Sequence, residues 1–357
     1  MKVLLIRLRL IGDVVFTTPV IRALKRALPD AQISYLVERE AASVVAGNPH
    51  LAEVIVIPRR RGLSRLADDA RLAARLRRRR FDLVIDMHGG PRSSLLTLAT
   101  GAPQRIGYRI PGRTWMYTRA VARPRELRPR HSVLNQWDLL HAIEGVNVGM
   151  PDPSRDAVEM PLRADVDTRV ERRLAAAGVL PRHELIVVHV SAGNPFRRWP
   201  EEAFVRLVTG LAAHGDRRLI LSSGPSDRQA ADRIADAARR ALGADAATRV
   251  VDFGDFDLTE LRALVARSRL FVGGDTGPLH IAATTATPVV AVFGPTLAER
   301  SAPWRNPAWL TASLAVDGLS CRPCNQRRCI PGDFRCLTTL RPDDVLSAAE
   351  RLLKRIA

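Results

Sequence analysis

Long apolar runs, lysine and dispersed cysteine are what this chain lacks. No stretch approaches the roughly 20 apolar residues that an α-helix needs to cross a bilayer. The apolar start, Met1 to Phe16, is interrupted by Arg7, Arg9 and Asp13, and no small-residue cleavage site follows. It therefore reads as a buried first strand rather than a signal peptide, and the protein as cytoplasmic. Lys2, Lys25 and Lys354 are the only lysines, so the positive charge is carried almost entirely by arginine. The four cysteines all fall between positions 321 and 336. That placement argues against a disulfide framework and for a local cluster. No G-x-G-x-x-G follows a strand, which excludes the dinucleotide fingerprint. No tandem repeat at solenoid spacing is present.

What is there is an ordinary globular composition on an unusual charge. The 357 residues are 46% hydrophobic and 26% charged, enough for two domains with substantial cores. The net charge of +18 is unevenly placed. Positions 58–80 hold ten arginines against Asp68 and Asp69, and positions 104–130 hold eight against Glu126. A GC-rich genome accounts for arginine over lysine but not for this asymmetry. A basic first half attracts polyanions: nucleic acid, an anionic leaflet or a phosphorylated glycolipid.

Short runs rich in Val, Ile and Leu alternate with helical patterns. Strands are expected at 2–7, 32–37, 53–57 and 82–86, and helices at 18–28 and 65–80. The rhythm breaks between about Arg109 and Ala164, a region rich in Pro, Arg and Gly, with one helix at 131–143. It then restarts, with strands at 185–190, 218–222, 249–253, 270–273 and 289–293. Helices are expected at 200–214, 227–242 and 259–266, and an amphipathic one at 342–356. Continuous apolar strands joined by helices predict parallel sheets covered on both faces. The fold class is thus α/β: two Rossmann-like domains, 1–164 and 165–340, with a ligand cleft between them and a last helix in 341–357.

Four segments carry candidate chemistry. In Arg9-Leu10-Ile11-Gly12-Asp13, after the first strand, Gly12 permits a tight turn that lets backbone approach a ligand. Asp13 then sits near a helix start, where a carboxylate is favoured and where a simple capping role is the plain alternative. In Asp275-Thr276-Gly277-Pro278-Leu279-His280, good N-cap residues and Pro open a helix whose free N–H groups suit a phosphate; a well-capped structural helix has the same pattern. In Ser191-Ala192-Gly193-Asn194-Pro195-Phe196-Arg197-Arg198-Trp199-Pro200, a small-residue turn before two arginines suits a diphosphate, as it also suits a solvated surface loop. Cys321-x2-Cys324-x4-Cys329-x6-Cys336 opens with a knuckle that favours tetrahedral thiolate ligation of zinc or iron, structural rather than catalytic. Four reduced thiols are the alternative.

In their order, these segments resemble the heptosyltransferases of glycosyltransferase family 9. The opening I-R-L-R-L-I-G-D-V-V-F-T-T-P-V-I (6–21) is similar to that family's start, and D-L-V-I-D-M-H-G-G-P-R-S (82–93) to the segment where members usually carry D-x-Q-G. S-A-G-N-P-F-R-R-W-P (191–200) resembles the K-R-W-P loop, with Arg197 for the usual Lys. G-G-D-T-G-P-L-H-I-A-A (273–283) followed by V-F-G-P-T (292–296) is the most specific match.

The resemblance implies the GT-B fold, an ADP-heptose donor bound by the C-terminal domain, and a lipopolysaccharide inner-core acceptor on the N-terminal one. It also implies inversion at the anomeric carbon without a catalytic metal, and action at the cytoplasmic face of the inner membrane. The last helix would pack back on the N-terminal domain. Asp13 would be the general base, and Arg197, aided by Arg198 and the helix start at Thr276-Gly277, would stabilise the departing diphosphate. Asp275 would meet the donor sugar, with Gly12, Ser191, Gly193, Gly224, Asp227 and His280 also on the donor side. Arg59, Arg60, His88 and Arg92 would face the acceptor, and the basic segments would steer it. His88 stands where Gln is usual.

Competing readings are a related transferase with another nucleotide sugar or a protein acceptor, a member that binds without catalysing, and a basic nucleic-acid-binding protein with a four-cysteine metal site. Against the last, basic segments and cysteines lie in opposite halves and no recognition helix is present, so no nucleic-acid partner is expected.

Overall fold

The protein is described from a computed structural model covering residues 1–58, 63–124 and 128–356. It divides into two compact units, Met1–Pro161 and Leu162–Ala357. The division falls a few residues ahead of the 164/165 boundary read from sequence.

The first unit is built on six parallel strands: β1 (Lys2–Ile6), β2 (Gln32–Glu38), β3 (Glu53–Ile57), β4 (Leu83–Asp86), β5 (Gln104–Tyr108) and β6 (Arg119–Val121). Their spatial order is β3-β2-β1-β4-β5-β6. The central strand β1 pairs on both sides, Ile6 lying opposite Leu36 on β2 and Asp86 on β4. Val3, Leu4, Leu5 and Ile6 are completely buried, as a strand covered on both faces requires. The α-helices of this unit among the described residues are α1 (Ile11–Val15), α2 (Thr18–Ala27), α3 (Leu63–Arg78), α4 (Pro91–Ala99) and α5 (Ser132–His141). On α2 the apolar side Val20, Ile21 and Leu24 is buried while Lys25 and Arg26 occupy the last turn, where a cation suits the helix dipole. The end of α3 is basic for the same reason, so part of the arginine run at 75–78 has a structural cause.

The second unit repeats the plan. Its strands are β7 (Glu184–His189), β8 (Arg217–Ser222), β9 (Val250–Val251), β10 (Leu270–Gly274), β11 (Val289–Phe293) and β12 (Thr311–Ala315). All run parallel, in the order β12-β11-β10-β7-β8-β9. Counted from each unit's own first strand, both sheets have the usual Rossmann order 3-2-1-4-5-6. The helices are α6 (Ala164–Ala176), α7 (Glu201–Ala212), α8 (Arg228–Leu242), α9 (Ala244–Ala247), α10 (Leu258–Ala266), α11 (Gly277–Ala282), α12 (Ala298–Ser301), α13 (Arg335–Thr338) and α14 (Pro342–Lys354). The fold class expected from sequence, two Rossmann-like α/β units, is the one observed.

The last helix, α14, buries Val345, Ala349, Leu352 and Leu353 in the second unit's own core with Trp199, Leu207 and Leu211. Trp199 Nε1 donates to the carbonyl of Leu340 at 3.2 Å, and Arg217 clasps Glu350 through two hydrogen bonds. Gly210 on α7 admits this packing, because a Cβ there would stand 2.6 Å from Leu346. No helix among the described residues is long and apolar enough to cross a membrane.

Candidate active site

In a sheet of this order, the strands on either side of the reversal send their following loops to opposite faces and leave a crevice at their carboxyl ends. In the first unit the reversal lies between β1 and β4, so the segments 7–13 and 87–93 leave the sheet there. Arg7 follows β1 directly. Its Nη1 donates to the carbonyl of Met87 at 2.5 Å, and its Nη2 lies 2.5 Å from Asp13 Oδ2. Gly12 is buried beneath this turn, while Leu10 is 68% exposed. Asp13 stands in the first turn of α1 and its carboxylate reaches back to the N–H of Leu10 at 3.5 Å. Its side chain is 37% exposed, so the carboxylate is held from behind and open in front.

The other loop is organised by Asp86, completely buried at the end of β4. Oδ1 accepts from the N–H groups of His88 and Gly89, both at 2.9 Å; Oδ2 accepts from Ser93 Oγ at 2.9 Å and from Tyr117 Oη at 2.7 Å. Burial pushes this carboxyl up, and the four donors work against it. Gly89 takes φ +65°, which only glycine adopts without strain. His88 is pushed down to about 4, by burial first and then by the charges of Arg7 and Arg9, so it is neutral near pH 7. A neutral imidazole within the field of Arg7 and Asp13 is a hydrogen-bonding group rather than a cation.

The second unit has its reversal between β7 and β10, whose following segments are 190–200 and 275–280. Ser191 Oγ donates to Asp227 Oδ2 at 2.6 Å and accepts from the N–H of Gly224 at 3.1 Å. Arg198 Nη2 meets Asp227 Oδ1 at 2.6 Å, and its Nε donates to the carbonyl of Ala192. Four candidates separated by up to 36 positions, Ser191, Arg198, Gly224 and Asp227, are thus one network. Arg197 Nη1 donates to the carbonyl of Asp275 at 2.9 Å and lies 3.4 Å from its Oδ2. His280 Nε2 stands 3.3 Å from Asp275 Oδ1. Burial alone would raise the Asp275 carboxyl, but the hydrogen bond and charge of His280, with the charge of Arg197, hold it below the usual range. Gly193 is exposed and a Cβ there would meet nothing, so its place in the loop is not sterically enforced.

The family model for glycosyltransferase family 9 (heptosyltransferase) matches residues 70–333. The chain belongs to glycosyltransferase family 9. It is 26% identical over 348 residues to lipopolysaccharide heptosyltransferase 3 of Escherichia coli K12, covering 96% of this chain and 95% of that one. It is 26% identical over 385 residues to lipopolysaccharide heptosyltransferase 1 of Pseudomonas aeruginosa, covering 99% and 98%. In fold it is similar to the family 9 glycosyltransferase of Veillonella parvula (TM-score 0.81, 21% identity, 99% and 97% covered). It is similar also to the E. coli ADP-heptose lps heptosyltransferase II (TM-score 0.79, 21% identity, 100% and 99% covered).

For a family 9 glycosyltransferase, the structure sorts the candidates read from sequence. Asp13 and His88 share the carboxyl edge of the first sheet; Arg197, Arg198, Asp227, Asp275 and His280 share that of the second. Arg92 departs from its expected role. Its guanidinium pairs with Glu38 at 3.1 Å and Asp69 at 2.6 Å, binding α4 to β2 and α3, so it is a structural clamp rather than a free acceptor contact. Arg59 and Arg60 lie outside the described residues. The helix start at Thr276-Gly277 opens a helix of only six residues, and Thr276 makes no side-chain cap bond. Its dipole is correspondingly weak.

Cys321, Cys324, Cys329 and Cys336 are free thiols lining one cavity of about 320 Å³. As the side chains stand, no three ligating groups among the described residues are already assembled around one point.

Sequence reasoning missed Arg7, Asp86, Tyr117 and Gln326. Arg7 carried a signal: a charged residue directly after four completely buried ones has to find a partner at the strand's end. Gln326 carried none.

Proposed function

We propose that this family 9 enzyme transfers a heptose from ADP-heptose to the inner core of lipopolysaccharide, with inversion and with Asp13 as general base. The observation that carries the reading is the Arg7–Asp13 pair at the carboxyl edge of the first sheet, a half-open carboxylate whose rear is fixed by a buried cation. The names borne by its relatives, lipopolysaccharide heptosyltransferases, support the acceptor and the sugar.

The proposed step is one displacement. The acceptor hydroxyl gives its proton to Asp13 as its oxygen bonds to the anomeric carbon. The bond from that carbon to the diphosphate oxygen breaks, and ADP leaves with the electron pair. Developing charge on the diphosphate is met by Arg197 and Arg198, which are preorganised by Asp275 and Asp227. Neutral His88 serves as a hydrogen-bond partner for an acceptor hydroxyl.

The basic first half fits an anionic acceptor in an anionic leaflet. Arg75, Arg77, Arg78 and Arg80, on and just after α3, are exposed, whereas Arg105 and Arg130 of the second basic segment are tied into internal hydrogen bonds. Docking is assigned to the α3 end together with the exposed Arg109 and Arg128 of the second segment.

The deciding experiment is ADP release from ADP-heptose, with and without a heptose-deficient core, for wild type and Asp13→Asn. Acceptor-dependent release lost by about 10²–10⁴ in the variant supports the proposal. Unchanged release in the variant removes Asp13 as base; donor binding without release on any core acceptor removes the acceptor assignment.

A further inference from the structure

Arg197 is held by two loops from elsewhere in the second unit. Its Nη1 donates to the Asp275 carbonyl at 2.9 Å, on the loop after β10. Its Nε donates to Gln326 Oε1 at 2.7 Å, on the connection from β12 to α13. Two fixed nitrogens define the plane of a guanidinium. Nη2 meets no partner among the described residues and the side chain is 31% exposed, so the fork keeps one open edge.

The place of Gln326 is enforced by its own loop. The N–H of Cys324 donates to the carbonyl of Pro295, and Arg322 to those of Thr296 and Val316, which pins the segment to the loop after β11. The N–H of Gln326 turns back to Cys324 Sγ at 3.2 Å. Gln326 thereby takes φ +58°, which glycine adopts freely and other residues only at a cost. A side chain kept in such a position points to a use for it.

The amide of Gln326 has one satisfied orientation. Two N–H donors, from Arg197 Nε and from Asn194 Nδ2 at 2.9 Å, converge on one atom, which has to be the oxygen. Asn194 is fixed in turn, because its Oδ1 accepts from the N–H of Phe196 at 3.0 Å. Phe334 packs on Phe196 with ring centroids 5.5 Å apart and holds the far end of the segment on the same turn. The neutrality of the amide matters as much as its place. Asp275 Oδ2 already lies 3.4 Å from Arg197 Nη1. A second carboxylate, at position 326, would compete with a diphosphate for the same cation.

We propose that Gln326 is a positioning residue for Arg197: a neutral acceptor that fixes the plane of the guanidinium and leaves its charge to the diphosphate. The role rests on the function proposed above, in which Arg197 meets that diphosphate. It makes the loop between β12 and α13 a support of the donor site.

The test is a double-mutant cycle read on ADP affinity by calorimetry, which needs no acceptor, and on kcat/KM for ADP-heptose. Gln326→Leu keeps an unbranched side chain and loses the acceptor. It is expected to cost about tenfold in both readouts with Arg197 present, and less than about twofold in an Arg197→Met background. Gln326→Glu keeps the acceptor and adds the competing charge, so ADP affinity should still fall about tenfold. No loss in Gln326→Leu, or an equal loss in both backgrounds, would overturn the link to Arg197. Wild-type ADP affinity in Gln326→Glu would overturn the need for a neutral group. Arg197→Met with undiminished ADP affinity and turnover would instead remove Arg197 from the diphosphate, and the proposal with it.

Discussion

Arg7 Nη2 lies 2.5 Å from Asp13 Oδ2, and the same guanidinium holds the carbonyl of Met87. One buried cation therefore ties the candidate base to the loop that follows β4. Arg7→Met should leave Asp13 in place but unsupported. Turnover is expected to fall about 10–100-fold with donor KM nearly unchanged, since the base acts on the acceptor, and Arg7→Lys should recover part of the loss. Steady-state kinetics on the three proteins check this; Arg7→Met with wild-type kcat would remove the orienting role.

Gly107, on β5, is forced by Tyr117. A Cβ at position 107 would stand 2.4 Å from the Tyr117 ring. That ring delivers the hydroxyl that donates to Asp86, which in turn fixes the backbone of His88 and Gly89. Gly107→Ala should push the ring aside, costing about 1–3 kcal/mol from overpacking and leaving Asp86 short of a donor. Acceptor KM should rise more than donor KM. Tyr117→Phe separates the two causes: it should show the kinetic effect without the overpacking. Equal shifts in both KM values would sever Tyr117 from the acceptor side.

The chain's own pattern told most of the fold and about half of the site. Central strands such as Lys2–Ile6 and Val289–Phe293 are legible because a parallel strand buried on both faces has to be continuously apolar. Edge strands are not under that demand. Thr311–Ala315 and Arg119–Val121 mix small and polar residues and show no apolar strand pattern, while the expected strand at 249–253 is realised only as Val250–Val251. At the site, Gly12-Asp13 and Asp275 to His280 were legible because turn and chemistry are contiguous. Tyr117 and Asp86, 31 positions apart, meet only through strand order. The ion pairs of Arg92 were not legible, because nothing local points to Glu38 and Asp69, which are distant in sequence.

Asp275 should act through Arg197 and His280 as well as by itself. Asp275→Asn keeps the shape and removes the charge that orients both. Stability is expected to drop by about 1–3 kcal/mol, the lower end because Arg197 is partly open to solvent. Its native pKa is depressed, so the stabilisation is complete above the unfolded value near ~3.9 and is lost as pH falls through the native value. Urea midpoints for the two proteins should therefore differ by a constant amount at pH 5–7 and converge in stronger acid. A gap that instead widens on acidification would contradict the pairing.

His88 adds acid sensitivity of the same sign in a higher pH window. It is neutral in the fold, with its pKa pushed down to about 4, whereas in the unfolded chain it titrates near ~6.5. Between these values the unfolded chain binds the extra proton, so stability falls as pH drops through that window and is unaffected above it. At about 1.4 kcal/mol per pKa unit the loss approaches ~3 kcal/mol by pH 4. His88→Gln removes the titrating group but keeps a hydrogen-bonding side chain, so activity at pH 7 should stay within several-fold while the acid-side loss shrinks. His189 in the second unit, buried against Ser222 and also lowered to about 4, should keep its own share in the variant. Urea unfolding of wild type and His88→Gln at pH 7, 6 and 5 reads the difference. Superimposable pH dependences would mean that His88 is solvated and protonates freely in the native protein.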